Sequence, residues 1–275
     1  MKHALALATL AITSGVTMAG ISATKHNLSS TQPDATNNQV TDTAEICVFC
    51  HTPHGANTGV TAPLWNKNLP SASQYSVYST ANSSTIDGQT LTVGSVSAAC
   101  LSCHDGTQAM DSMVNEPGSG ADTIASFTWT GTRQTNGQLN GTTIANLGAD
   151  LTNDHPIGIQ YCGGGYTDDG SGASTGSCTD TDFKAPVNDT INGSLVWWVD
   201  TTVGTASQRE KTDMILYSRD FDQDDGAGGT IARKGPSVEC ASCHDPHVEA
   251  KDTTEVAFLR VSQSGSGVCL ACHTK

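Results

Sequence analysis

Hydrophobic residues are sparse along this 275-residue chain and come in short, separated runs. The first, from Ala4 to Met18 behind Met1-Lys2-His3, has the basic start, short apolar segment and small-residue end of an export leader. Thr17-Met18-Ala19 resembles its cleavage site, so residues 1–19 are expected to be a signal peptide and 20–275 a single mature domain. The run is too short for a good membrane span. Weak alternation over Gln89-Thr-Leu-Thr-Val-Gly-Ser-Val96 predicts a short hairpin, and Ser126-Phe-Thr-Trp-Thr130 a strand within a polar, Gly-rich surface excursion from Pro117 to Leu151. Leu195-Val-Trp-Trp-Val199 is the most apolar run of the mature chain and predicts a buried strand or a subunit contact.

Four copies of one motif lie between these runs. They are Cys47-Val-Phe-Cys50-His51, Cys100-Leu-Ser-Cys103-His104, Cys240-Ala-Ser-Cys243-His244 and Cys269-Leu-Ala-Cys272-His273. C-x-x-C-H is the attachment pattern of a c-type haem. Two thiols one helical turn apart reach the two vinyl groups of one porphyrin, and the next residue ligates its iron. Chance would place only about one hundredth of such a match along a chain of this Cys and His content. Zinc ribbons and redox dithiols also use C-x-x-C pairs, but neither demands His after every second Cys.

Two copies continue to a second histidine, as Cys47-to-His54 and Cys240-to-His247. Ligands on opposite faces of one haem need Cα atoms roughly 13 Å apart, whereas three residues span at most about 11 Å. His54 therefore cannot complete the iron of His51, nor His247 that of His244. Of nine histidines, His3 falls in the leader. Four are motif ligands, and His26, His54, His155 and His247 remain as four candidate sixth ligands. Four bis-histidine haems are expected. Met110 and Met113 are the alternative ligands.

Leu, Ile, Val and Phe total 48 residues and the formal net charge is −14, a balance that by itself places a chain among disordered ones. Four porphyrins would supply the missing apolar surface. The expected fold class is therefore a multihaem cytochrome c: a mostly irregular chain wrapped around four haems, with short helices at the CxxCH motifs and a few short β-strands. Such a chain should not fold without haem. Trp65 is expected to pack on a porphyrin face or edge. The acidic balance argues against nucleic acid and anionic membrane partners. Cys162 and Cys178, the two cysteines outside the motifs, read as a disulfide in an exported protein. Asp220, Asp222, Asp224 and Asp225 before Gly226 miss the register of a calcium loop by one residue and read as a solvated acidic turn.

Taken with Thr24-Lys-His26-Asn-Leu28, Pro63-Leu-Trp65 and Asp154-His155-Pro156, these motifs resemble the multihaem outer-surface cytochromes of metal-reducing bacteria. The greatest likeness is to the OmcE-type tetrahaem cytochromes that polymerise into extracellular filaments. The resemblance implies a homopolymer at the outer cell surface, reached through the periplasm. It would carry electrons by haem-to-haem hopping toward redox partners or extracellular acceptors, with no membrane span and no enzymatic reaction. It also implies that His54 is given to an adjoining subunit. The pairings carried over are His51 with His26, His104 with His155, His273 with His247, and His244 with a neighbour's His54. A monomeric periplasmic tetrahaem shuttle and a multihaem oxyanion reductase are the alternatives; the reductase needs an open or Lys-ligated haem, and the motif set suggests neither.

Overall fold

In the computed structural model, residues 20–79, 83–118, 126–202, 208–224, 226–249 and 258–274 are described. The leader expected over 1–19 lies outside them, as does Asp225. Strands follow the chain as β1 (Gln39–Val40), β2 (Trp129–Thr130), β3 (Gln134–Thr135), β4 (Gln138–Leu139), β5 (Ile159–Gln160), β6 (Tyr166–Asp168), β7 (Ser174–Gly176), β8 (Val187–Ile191), β9 (Ser194–Val199), β10 (Met214–Asp224) and β11 (Thr230–Val238). The helices are α1 (Ser95–His104), α2 (Cys240–Cys243) and α3 (Gly267–Cys272), with single 3-10 turns elsewhere. No helix among the described residues is long and apolar enough to cross a membrane.

One antiparallel sheet of order β5-β11-β10-β9-β8 dominates. Its β8–β9 hairpin closes on Asn192-Gly193, both with positive φ (51° and 77°), the backbone a two-residue turn of this twist requires. Alternation then sorts the side chains. Leu195, Trp197 and Val199 of β9 face one cluster with Met214 and Leu216 of β10, Tyr161, Cys162 and Ala271. Trp198, on the opposite face, is also buried, so β9 is covered on both sides. Truncating Trp197 to Ala should cost about 3–5 kcal/mol. Beyond Phe221 the hairpin of β10 and β11 runs out into solvent, and its residues there are mostly polar, with Ile231 exposed.

The expected fold class does not survive this architecture. A mostly irregular chain with a few short strands is contradicted by a five-stranded sheet whose longest members have 11 and 9 residues. Nor does any group of three or more His, Cys, Asp or Glu among the described residues converge as a protein-only metal site. The physical reason is that the sheet's core uses residues outside the Leu, Ile, Val and Phe count. Trp197, Trp198, Tyr161 and Met214 are all essentially solvent-free. The region therefore has its own apolar core.

Smaller expectations also change. Gln89–Val96 is not a hairpin: Leu91 donates to Gly158 O, Gln160 donates to Gln89 O, and α1 begins at Ser95. The stretch after Pro117 is no mere surface excursion, since β2 pairs with β1 and Leu139 and Leu151 are buried. Asp220, Asp222 and Asp224 lie on a strand opposite Lys234, Ala232 and Thr230 rather than in a turn. Met110 is core, packed with Leu28, Val40, Phe49 and Leu139.

Candidate functional site

Each motif sits on one helical turn. The first occupies a 3-10 turn, Cys47–Phe49, and the others end α1 or make up α2 and α3. In the first, third and fourth the backbone N–H of the motif His donates to the carbonyl of the first Cys, His51 to Cys47 at 2.8 Å, His244 to Cys240 at 3.1 Å and His273 to Cys269 at 2.9 Å, and the second lies wholly inside α1, where the same i to i−4 step is that of the helix itself. That turn brings the two thiols and the imidazole to one side of the backbone.

The motifs form a row in chain order. Cys50 lies near Cys103, Cys100 near Cys240, and Cys243 near Cys272. Between the second and third motifs, buried Glu239 accepts from Ser97 Oγ, Ser237 Oγ (3.1 Å) and Arg219 Nη1 (2.8 Å), while its backbone and Ser242 complete a capping box. This network clamps α1, α2 and β10 together.

The histidines come together across the row. His26 and His104 have ring centroids 6.0 Å apart, and His51 and His247 6.1 Å apart. Such separations exceed ring stacking contact. Two imidazoles bonded through Nε2 to one metal, with bonds of about 2 Å, would have centroids roughly 6 Å apart. The opposite edges of three of these rings are already committed. His26 Nδ1 is 2.9 Å from Pro246 O, His51 Nδ1 2.7 Å from Pro63 O, and His104 Nδ1 2.8 Å from Ala145 O. A carbonyl only accepts, so Nδ1 carries the proton and Nε2 keeps its lone pair. His155 Nδ1 meets Pro156 O at 3.0 Å in the same way, and His247 Nδ1 faces Asp245. This is the outer-shell arrangement that orients metal-bound imidazoles.

The surroundings keep these rings uncharged or aim them. Burial, followed by the neighbouring His104, pushes His26 down to about 4, and Phe258 stacks on it at 4.2 Å. Burial also lowers His104. His273 is lowered by burial and then by nearby His155, which marks a third association, and Phe183 packs on the His273 ring at 4.3 Å. Donation of its ring N–H to the Asp245 carboxylate raises His247. The structure thus brings His104 to His26 rather than to His155, and His51 and His247 to each other rather than to His26 and His273. His54 and His244 are both exposed. Sequence spacing could not reveal these pairings, because the carbonyls that aim the rings come from Pro63, Ala145 and Pro246.

Burial pushes Cys50 and Cys272 up to about 12 and Cys243 up to about 11, and raises Cys103, whereas interaction with Cys100 lowers Cys240. Reactive cysteines need a lowered thiol, so the four raised ones do not fit a redox dithiol. Cys162 and Cys178 do form a disulfide, with Cα atoms 5.3 Å apart, whereas the eight motif cysteines, all among the described residues, form none. Protein-only zinc sites are likewise not assembled among the described residues. Paired imidazoles beside paired thiols are residues that could hold a metal-bearing group bonded to sulfur. No family model and no curated protein matches this chain.

Proposed function

We propose that the chain is an exported electron carrier holding four covalent c-type haems, at Cys47/Cys50, Cys100/Cys103, Cys240/Cys243 and Cys269/Cys272. The observation that carries this reading is the pair of His–His separations near 6 Å, with Nδ1 of three of the four rings held by backbone carbonyls. Haem, when bound, supplies a one-electron iron couple, and bis-imidazole ligation sets it lower than His/Met ligation would. The chain's own residues do the rest. His51, His104, His244 and His273 serve as motif ligands, with His26, His155 and His247 as distal ligands within the chain. Phe258 and Phe183 cover the His26 and His273 rings. The cysteine contacts between successive motifs keep the row continuous, which favours transfer from one centre to the next.

His54 is exposed and belongs to the first motif, so we assign it to an adjoining subunit, where it would ligate the iron of His244. The assembled form is then a homopolymer that passes electrons along its length to extracellular acceptors. This follows the resemblance to filament-forming cytochromes.

Haem counting on denatured protein, together with the optical spectrum of the native one, tests the proposal. Four thioether-bound haems, all low-spin, are expected. Fewer than four, or a high-spin iron in the intact assembly, would overturn it, and the latter would favour a reductase.

A further inference from the structure

Trp65 carries one of two buried indole N–H groups with no hydrogen-bond acceptor among the described residues. It is 8% exposed and stands edge-on to the His51 ring, with centroids 6.2 Å apart at 84°. We propose that Trp65 Nε1 donates to a carboxylate of the haem held by His51; this rests on the haem reading above.

The position of Trp65 is rigidly built. His51 and Asn57 both form backbone bridges to Trp65. Thr52 N donates to Leu64 O and Asn66 N to Cys50 O, both at 2.9 Å, and Asn57 N donates to Trp65 O at 2.8 Å. The next side chain, Asn66, is fully buried and tied to Val48 O at 2.6 Å and Asn115 O at 2.7 Å. So much backbone organisation around an unsatisfied donor is not explained by packing alone, because an apolar side chain would fill this site without stranding a polar group. The described residues offer that N–H no acceptor, and the ammonium of Lys67 is turned to the carbonyls of Ala109, Met110 and Ser112. Haem brings two carboxylates, and an N–H donated to an anion makes a stronger bond than one to a neutral oxygen. Trp198, the other such indole, lies in β9 and has no ring contact with a motif histidine among the described residues.

A donated N–H offsets part of the carboxylate's charge and so holds the potential of the neighbouring iron up. In the haem-loaded protein, Trp65→Phe should keep four low-spin haems, lower one of the four midpoint potentials, and move the inflection in that potential's pH dependence to higher pH. A loaded variant whose four potentials and pH profiles all match wild type overturns the role of Trp65 alone. A wild-type chain without haem at Cys47 and Cys50 overturns the haem reading with it. Should the variant fail to load, a density map of the wild-type protein decides. Nε1 within hydrogen-bonding distance of a haem carboxylate supports the proposal, and Nε1 facing a backbone carbonyl, water or hydrocarbon overturns it.

Discussion

The imidazole planes of His26 and His104 cross at 73°, near perpendicular, with their centroids 6.0 Å apart. At the same separation, His51 and His247 lie within 16° of parallel. The difference comes from the carbonyls that hold the rings: Pro246 O and Ala145 O fix the first pair, and Pro63 O with Asp245 the second. One chain thus builds two distinct imidazole pairs, which would be two distinct axial environments if each pair held a haem iron.

That contrast has a spectroscopic signature. Parallel imidazoles split the two iron d orbitals that overlap their π systems, and crossed imidazoles leave them nearly equal in energy. The oxidised protein should therefore show at least two low-spin electron paramagnetic resonance classes, one rhombic and one highly anisotropic. His26→Ala should convert the anisotropic class, and no other, to high spin while four haems stay attached. Loss of the rhombic signal instead would contradict the pairing.

Acid should loosen the His26 arm. With His26 held at about 4 in the folded chain against 6.5 unfolded, the unfolded chain binds a proton in that interval that the folded chain refuses. Stability from this residue is complete above 6.5 and is lost as pH falls toward about 4. His104 and His273, also lowered, act in the same direction. In the haem-free chain, where Nε2 of His26 is open to a proton, denaturant midpoints should be level above pH 7 and decline below 6.5, and His26→Phe should flatten that decline. An equal slope in wild type and variant would remove His26 from the account.

Lys67 is fully buried, with its Nζ 3.0, 3.1 and 3.4 Å from the carbonyls of Ala109, Met110 and Ser112. Its positive charge acts on Cys50 and Cys103, one from each of the first two motifs. Lys67→Met leaves three carbonyls short of a donor and should cost about 1–3 kcal/mol. It should also lower the potentials of the two adjacent centres while leaving the other two in place, which redox titration of the loaded variant would show.

The four helical turns at the Cys-x-x-Cys-His motifs were legible in the sequence because the motif is local and needs only one turn of backbone. The disulfide was legible for the related reason that cysteine arithmetic left one pair over. The sheet was not. Its strongest local signal, Asn192-Gly193 between two alternating segments, sat in a region whose scarcity of Leu, Ile, Val and Phe suggested no core, while Trp197, Trp198 and Tyr161 were making one. The histidine pairings were out of reach for a different reason. His26 meets His104 only because the chain near Phe258 stacks on one ring and Ala145 receives the other, contacts that no spacing rule encodes.

Breaking the Cys162–Cys178 bridge separates stability from electron transfer. It closes a 16-residue separation over the β6–β7 hairpin, and Cys162 is part of the sheet's core. A loop of about that size is worth roughly 3 kcal/mol. The double Cys162→Ser, Cys178→Ser variant should melt at a lower temperature yet keep four haems and wild-type potentials. A lost haem would mean that the bridge also supports the fourth motif, whose Ala271 shares that core.

His54 tests assembly apart from loading. Its backbone carbonyl is fixed by Thr52 Oγ1 at 3.0 Å and Asn115 Nδ2 at 2.9 Å, and the residue itself is exposed, so the loop is held while the ring is presented outward. Removing the ring therefore leaves the local fold in place. His54→Ala should give monomers with four attached haems, one of them now high-spin, and no filaments under the electron microscope. His54→Ala subunits mixed with wild type should cap growing ends and shorten the filaments in proportion to their share. Unchanged filament length with a fully low-spin spectrum would locate the sixth ligand of the His244 iron within its own chain and leave polymerisation to other surfaces.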